Sequence, residues 1–117
     1  MNLLLVEDNE DLNTLLTEML RTQGHTVTQA FSAEAALAEL GQGTAVDLVL
    51  TDIGLPSMSG VLFAAEARAL RSDVGIVFMT GAMEAPRGDR GDPPLLRKPF
   101  TMLALEASLA AAMAGRT

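Results

Sequence analysis

The chain has no cysteine, tryptophan or tyrosine, and basic residues are few. Without cysteine no disulfide can form, which is consistent with a reducing cytoplasm. The 15 acidic residues outnumber the 8 Lys and Arg, and the net charge of −7 argues against a nucleic-acid surface, because phosphate backbones attract basic patches. No apolar run approaches the roughly 20 residues of a membrane-spanning helix, and the first residues lack the basic segment of a signal peptide. These absences favour a cytoplasmic protein without nucleic-acid or membrane partners.

The apolar residues, about half of the 117, fall into short runs that alternate with helical patterns. Five strands are predicted, at residues 3–6, 25–29, 46–51, 75–79 and 95–97. Three helices are predicted between the strands. The first shows helical spacing of Leu12, Leu15, Leu16, Met19 and Leu20 and ends at Gly24. The second begins at the N-cap Ser32 and ends at Gly41, and the third covers residues 60–70. A final helix follows the cap Thr101. Such alternation predicts a parallel α/β sheet in a single domain, residues 1–117.

Polar residues follow four of the predicted strands. Glu7 and Asp8 follow the first strand, Asp52 the third, Thr80 the fourth and Lys98 the fifth. Because the carboxyl ends of parallel strands share one edge of the sheet, where ligands bind, we expect these side chains to lie together. Three carboxylates, a hydroxyl and an ammonium group make a site for a divalent cation and a phosphoryl group.

Each of these residues also has an ordinary structural explanation. Glu7 and Asp8 could simply begin a helix, where acidic side chains favour the helix dipole. Asp52 could form a turn, and Lys98 could be a solvated surface charge. All of these residues occur together at predicted strand ends, which favours a shared site over the separate structural explanations. His25 is interpreted as a surface residue, because nothing in the sequence pairs it with a nucleophile.

Four motifs occur in order along the chain: Glu7-Asp8, Asp52-x-x-x-Pro56-x-x-x-Gly60, Thr80-Gly81 and Lys98-Pro99-Phe100. Together they resemble the receiver domain of two-component response regulators, the CheY-like superfamily, over nearly the whole chain. The resemblance implies a flavodoxin-like, doubly wound sheet of five parallel strands in the order 2-1-3-4-5.

The resemblance also implies a phosphoprotein of a phosphorelay. Asp52 would take a phosphoryl group from a phosphohistidine on a histidine kinase or a histidine phosphotransfer protein, and Mg²⁺ (or Mn²⁺) would be required. The implied metal ligands are Asp8, Asp52 and the backbone carbonyl of Gly54, with Glu7 acting through water. Thr80 and Lys98 would contact the phosphoryl oxygens. The chain would catalyse only its own phosphorylation and dephosphorylation, so it would not be an enzyme in the usual sense.

The chain departs from the usual receiver pattern before its last strand. Residues 81–94 hold three prolines and three glycines where receivers have their fourth helix, so that helix is predicted to be shortened or replaced by a loop. Leu95 stands where many receivers carry Tyr or Phe, whose ring turns inward on phosphorylation. The region partly resembles single-domain receivers nicknamed FAT GUY, in Phe78-x-Thr80-Gly81 and Pro94-x-Leu96-x-Lys98-Pro99-Phe100, and it also resembles receivers of hybrid histidine kinases.

Several functional alternatives follow from the sequence. Met1 directly before the first strand favours a free-standing receiver without an output domain, which would signal by protein–protein interaction or act as a phosphate carrier or sink; the alternative is a receiver excised from a hybrid kinase. A haloacid-dehalogenase-like phosphatase needs an acid two residues after its nucleophile, where Gly54 stands. A flavin or nucleotide binder needs a glycine-rich phosphate loop, which does not follow the first strand. A pseudo-receiver would be a pure interaction module without phosphorylation.

Overall fold

The computed structural model describes residues 1–80, 95–97 and 101–114. Strands and helices alternate as the sequence predicted, in the order β1 Asn2–Val6, α1 Glu10–Thr22, β2 Thr26–Ala30, α2 Ala33–Gly41, β3 Leu48–Asp52, α3 Gly60–Leu70, β4 Gly75–Thr80, β5 Leu95–Arg97 and α4 Met102–Ala114. The predicted loop 81–94 and the motif 98–100 lie outside the described residues. Among the helices within the described ranges, none is long and apolar enough to cross a membrane.

All five strands are parallel and form one sheet in the order β2-β1-β3-β4-β5. This confirms the predicted flavodoxin-like order and the position of β2 at an edge. The chain winds outward in one direction from β1 and in the other from β3. The carboxyl ends of β1 and β3 therefore flank the point where the strand order reverses, which is where α/β sheets form a crevice.

The sheet is buried on both faces, which explains why its strands read as continuous apolar runs. Leu4 and Val6 pack into a cluster with Phe63 of α3, whereas Leu3 and Leu5 pack on the other face with residues of α1 and α4. Neighbouring residues of a strand point to opposite faces, so β1, β2, β3 and β4 each contribute to both clusters. The resulting three-layer core holds the strand ends in a defined register.

Helix α1 turns a partly polar face towards the sheet. Its buried residues are Asn13, Leu16, Thr17 and Leu20, and their spacing of three, four and seven residues is that of one helical face. Leu15, which the sequence had placed in the apolar stripe, is 53% exposed. The predicted face is otherwise confirmed, since Leu16 and Leu20 are buried and Leu12 and Met19 pack against the core. Hydropathy alone missed the two polar residues that complete this face.

The predicted helix caps are largely confirmed. Ser32 Oγ accepts a hydrogen bond from the backbone of Ala35 at 3.1 Å, and Thr101 Oγ1 accepts one from Ala104 at 3.0 Å. Gly24 follows α1 with a φ of +95°, the left-handed conformation that favours glycine at a helix end. Helix α2 ends at Gly41, as predicted, and the left-handed residue that follows it is Gly43.

His25 is not the surface residue that the sequence indicated. Its side chain is 9% exposed, and Nε2 lies 3.0 Å from Oε2 of Glu106 on α4. The contact joins the turn before β2 to the last helix. The two residues are 81 positions apart, so only the packing of α4 beside α1 brings them together.

Candidate functional site

Glu7 and Asp8 lie where β1 leaves the sheet. The backbone N–H of Glu7 donates to the carbonyl of Ala30 at 3.1 Å, which extends the contact with β2 by one residue. The Glu7 side chain is 1% exposed, and its Oε2 accepts a hydrogen bond from the backbone of Asn9 at 3.1 Å. Asp8 is exposed. One carboxylate is therefore held inside the protein while the next one faces solvent.

Asp52 is the last residue of β3 and is partly buried. Its Oδ1 accepts a hydrogen bond from the backbone N–H of Gly54 at 3.1 Å. The backbone N–H of Ile53, which lies between these two residues, donates to the backbone carbonyl of Met79 on β4 at 3.0 Å. The carboxylate is thus oriented by its own turn, and the turn is attached to the neighbouring strand.

The loop after Asp52 returns tightly to the start of α3. The backbone N–H of Gly60 donates to the carbonyl of Ile53 at 2.7 Å, and Ser59 caps the helix by accepting from Leu62 at 3.1 Å. A Cβ on Gly60 would lie 2.7 Å from Ile53 Cα and closer still to the carbonyl oxygen of Asp52. Glycine at this position therefore allows α3 to begin directly against the backbone of Asp52.

The three carboxylates predicted from the strand ends do come together. One oxygen from each of Glu7, Asp8 and Asp52 lies within 4.8 Å of the others. The register that pairs Val6 with Thr51 explains this, because it ends β1 and β3 side by side. Three carboxylates so close repel one another when ionised. Hard oxygen donors of this kind suit a small divalent cation, which would remove that repulsion.

The other predicted site residues are only partly described. Thr80 ends β4, one residue beyond Met79, which pairs with Asp52. Its backbone therefore lies at the same edge of the sheet as the carboxylates. Gly81 and Lys98 lie outside the described residues, so their place in the site stays a prediction.

Two contacts near the cluster were not predicted from the sequence. The amide of Asn13 donates to the backbone carbonyl of Glu7 at 3.1 Å. The Ser57 hydroxyl lies 2.7 and 2.8 Å from the two carboxylate oxygens of Glu34, a hydrogen bond that holds the pKa of Glu34 below its usual value. This second contact attaches the loop after Asp52 to α2. The spacing of Asn13 from Leu16 and Leu20 could have revealed its buried position, but nothing local signals the Ser57 contact.

Comparison with known proteins identifies the same type of domain. Residues 3–109 match the family described as response regulator receiver domain. The chain is 34% identical over 102 residues to the response regulator receiver protein CpdR of Brucella abortus, and the match covers 84% of each chain. It is 42% identical over 82 residues to the transcriptional regulatory protein AruR of Pseudomonas aeruginosa, covering 67% of this chain. It spans only 33% of AruR.

Solved structures of similar chains have the same fold. The response regulator TrrA of Thermotoga maritima, in complex with Mg(2+)-BeF, superposes with a TM-score of 0.82 at 26% identity, covering 95% of this chain and 97% of that one. The receiver domain of the hybrid histidine kinase CckA superposes with a TM-score of 0.83 at 22% identity, covering 97% and 99%. At 22% identity, the likeness to the CckA receiver shows a shared fold and nothing more.

Proposed function

Because the chain belongs to the response regulator receiver domain family of two-component systems, we propose that it accepts a phosphoryl group on Asp52. The donor would be a phosphohistidine on a histidine kinase or a histidine phosphotransfer protein. The observation that carries the proposal is the convergence of Glu7, Asp8 and Asp52 at one sheet edge, with carboxylate oxygens within 4.8 Å. Such a cluster is electrostatically unfavourable by itself, which supports a role in binding a cation and a phosphoryl group.

The proposed reaction is a direct displacement at phosphorus. A carboxylate oxygen of Asp52 forms the new O–P bond, the P–N bond to the histidine breaks, and its electron pair stays on the imidazole nitrogen. Phosphoryl transfer depends mainly on positioning and on neutralising charge. The hydrogen bond from Gly54 to Oδ1 orients the nucleophile. Thr80 and Lys98 are proposed to contact the phosphoryl oxygens, on the strength of the family resemblance.

The donor set fits Mg²⁺ or Mn²⁺, since all the available groups are hard oxygens. Asp8 and Asp52 would hold the cation directly together with the backbone carbonyl of Gly54, and Glu7 would act through water. When bound, the cation would neutralise the carboxylates and the incoming phosphoryl oxygens. The buried position of Glu7, 1% exposed, supports an indirect role that fixes the arrangement.

The phosphorylated form is proposed to signal by binding another protein or to act as a phosphate carrier, with no reaction beyond its own phosphorylation and dephosphorylation. The likeness to the receiver protein CpdR, of which 84% is matched, supports signalling by the receiver domain itself. The resemblance of the sequence to receivers of hybrid histidine kinases keeps a second setting open, in which the same domain serves within a hybrid kinase.

Labelling of the unmodified protein tests the proposed function. Incubation with acetyl phosphate and Mg²⁺ should add one phosphoryl group, seen by intact mass spectrometry, and chelation of the metal should prevent it. Hydroxylamine should remove the label, because it cleaves acyl phosphates and leaves phosphoserine intact. Labelling that is independent of divalent metal, or that resists hydroxylamine, would contradict the proposed chemistry. No labelling from any donor would instead favour a pseudo-receiver.

Mg²⁺ should also raise the melting temperature, because the cation binds the folded cluster and not the unfolded chain. A hundredfold excess over the Kd would add about 2.7 kcal/mol to the free energy of unfolding. Asp8→Ala should remove this response and should stabilise the metal-free protein by about 1 kcal/mol, since it relieves repulsion between like charges. Differential scanning calorimetry with and without Mg²⁺ measures both effects.

Asp11→Ala is the matched control for that measurement. Asp11 is an exposed acid in the first turn of α1, outside the cluster, so its removal changes the net charge equally. It should keep the Mg²⁺ response and gain no stability, because an acid at a helix N-terminus is favourable. A response that survives in Asp8→Ala would show that Mg²⁺ binds elsewhere.

A further inference from the structure

We propose that Asn13 is a positioning residue for the acidic cluster: its side-chain amide sets the backbone of Glu7, and through it the directions of Glu7 and Asp8 towards Asp52. This inference rests on the function proposed above. Asn13 lies on α1 and is fully buried, at 0% exposure. It contacts the backbone that carries the carboxylates.

Asn13 uses both ends of its amide group. Nδ2 donates to the carbonyl oxygens of Glu7 and Ala30, each at 3.1 Å. Oδ1 accepts from the Thr17 hydroxyl at 3.2 Å and from Nε2 of Gln29 at 2.9 Å. A flipped amide would place Oδ1 against two carbonyl oxygens, so only one orientation satisfies the network.

The two peptide groups that flank Glu7 are therefore both held. Its N–H donates to Ala30 on β2, and its C=O accepts from Asn13 on α1. The side chain of Glu7 is also fixed relative to the start of α1, because the N-cap residue Asn9 donates its backbone N–H to Oε2 of Glu7. Strand β1 has already ended at Val6. The direction of the chain at Glu7 and Asp8 is thus determined in part by a helix side chain.

Apolar packing alone would not require an amide at this position. Leu16 and Leu20 fill the same face of α1 with apolar groups, and a buried amide contributes to stability only when all its partners are in place. What Asn13 supplies beyond packing is a donor to the backbone carbonyls of Glu7 and Ala30, two residues that a backbone hydrogen bond joins at the end of β1. Groups that orient metal ligands from behind commonly change metal affinity by about 10–100-fold when they are removed.

The test compares Asn13→Leu with Thr17→Val. Both positions are buried on the same face of α1 and belong to the same network. Thr17→Val removes one hydrogen bond of that network, whereas Asn13→Leu removes four. Only Asn13→Leu removes the donor to Glu7. Both variants should melt at a lower temperature. Asn13→Leu should weaken Mg²⁺ binding about tenfold by isothermal titration calorimetry and slow phosphorylation by acetyl phosphate, whereas Thr17→Val should leave the Mg²⁺ affinity unchanged.

A readout in the absence of metal separates positioning from the proposed function. Amide hydrogen exchange of the backbone N–H groups of Glu7 and Asn9, followed by NMR, should accelerate in Asn13→Leu by more than the loss of global stability predicts. In Thr17→Val it should follow global stability alone. If the unmodified protein neither binds Mg²⁺ nor accepts phosphoryl groups, the proposed function is wrong, and the exchange measurement still decides whether Asn13 holds Glu7.

Gln29→Met gives a milder substitution should Asn13→Leu not fold. It removes the shorter of the two hydrogen bonds that Asn13 Oδ1 accepts, 2.9 Å from Gln29 against 3.2 Å from Thr17, while leaving Asn13 itself, so a smaller loss of Mg²⁺ affinity and faster exchange at Glu7 are expected. Equal changes of Mg²⁺ affinity in Asn13→Leu and Thr17→Val, in proportion to their melting temperatures, would overturn the proposal. Wild-type exchange at Glu7 and Asn9 in both Asn13→Leu and Gln29→Met would overturn it as well.

Discussion

Asp52→Asn is expected to abolish phosphoryl uptake from acetyl phosphate in the presence of Mg²⁺. The amide is neutral and a poor nucleophile, so the O–P bond would not form. The fold should persist, because an asparagine Oδ1 can still accept the hydrogen bond that Gly54 donates to Asp52 Oδ1 at 3.1 Å. Intact mass spectrometry measures the loss, and thermal melting confirms that the variant is folded.

Asp47→Asn is the control that changes the other aspartate beside β3. Asp47 lies directly before β3, at the end of the strand opposite to Asp52. Its Oδ2 accepts a hydrogen bond from the backbone N–H of Asn2 at 2.8 Å. An asparagine there can keep that hydrogen bond, so labelling should equal that of the unmodified protein. Labelling of Asp52→Asn to the same extent would mean that another group is the nucleophile.

Gly60→Ala is expected to lower the free energy of unfolding by about 3 kcal/mol, the upper part of the range for overpacking a buried site. Helix propensity alone predicts the opposite sign, since alanine favours a helix by about 1 kcal/mol over glycine. Sterics should prevail because the new Cβ would meet backbone atoms of Asp52 and Ile53, which have no alternative rotamer. The loop carrying Asp52 would have to move, so labelling should slow as well.

Gly41→Ala provides the matched substitution without a clash. Gly41 is the last residue of α2, and a Cβ there would meet nothing within 4 Å. Alanine should therefore be neutral or stabilise the protein by up to about 1 kcal/mol, through the unfolded chain. Urea denaturation of both variants gives the comparison. A Gly60→Ala protein as stable as the unmodified one would show that α3 can shift away from Asp52 without strain.

The meeting of the three carboxylates was predictable because it depends on chain topology. Strand–helix alternation requires parallel strands, and parallel strands end at one edge of the sheet. Glu7, Asp8 and Asp52 each follow an apolar run, so their approach needed no knowledge of side-chain packing. The structure confirms it. The roles of Thr80 and Lys98 stay predictions, as does the loop at 81–94.

The partners of single polar side chains were not predictable in this way. Residue type marked Asn13 and Thr17 as polar, yet both are buried on α1, while Leu15 is 53% exposed. His25 meets Glu106 across 81 positions of sequence. Hydropathy records how a residue prefers to be solvated on average. It does not record which donor or acceptor a neighbouring element will bring to it.

The sequence by itself therefore determined the parallel sheet and the carboxylates at its edge, because the periodicity of apolar residues and the direction of parallel strands leave few arrangements. The strand order was implied by the resemblance to receiver domains. Only the tertiary structure decided how those carboxylates are held. The amide of Asn13 behind Glu7 and the contact of Gly60 with the Asp52 backbone depend on distances between separate elements. Such distances are set by packing α1 and α3 against opposite faces of the sheet, which no local pattern of residues encodes.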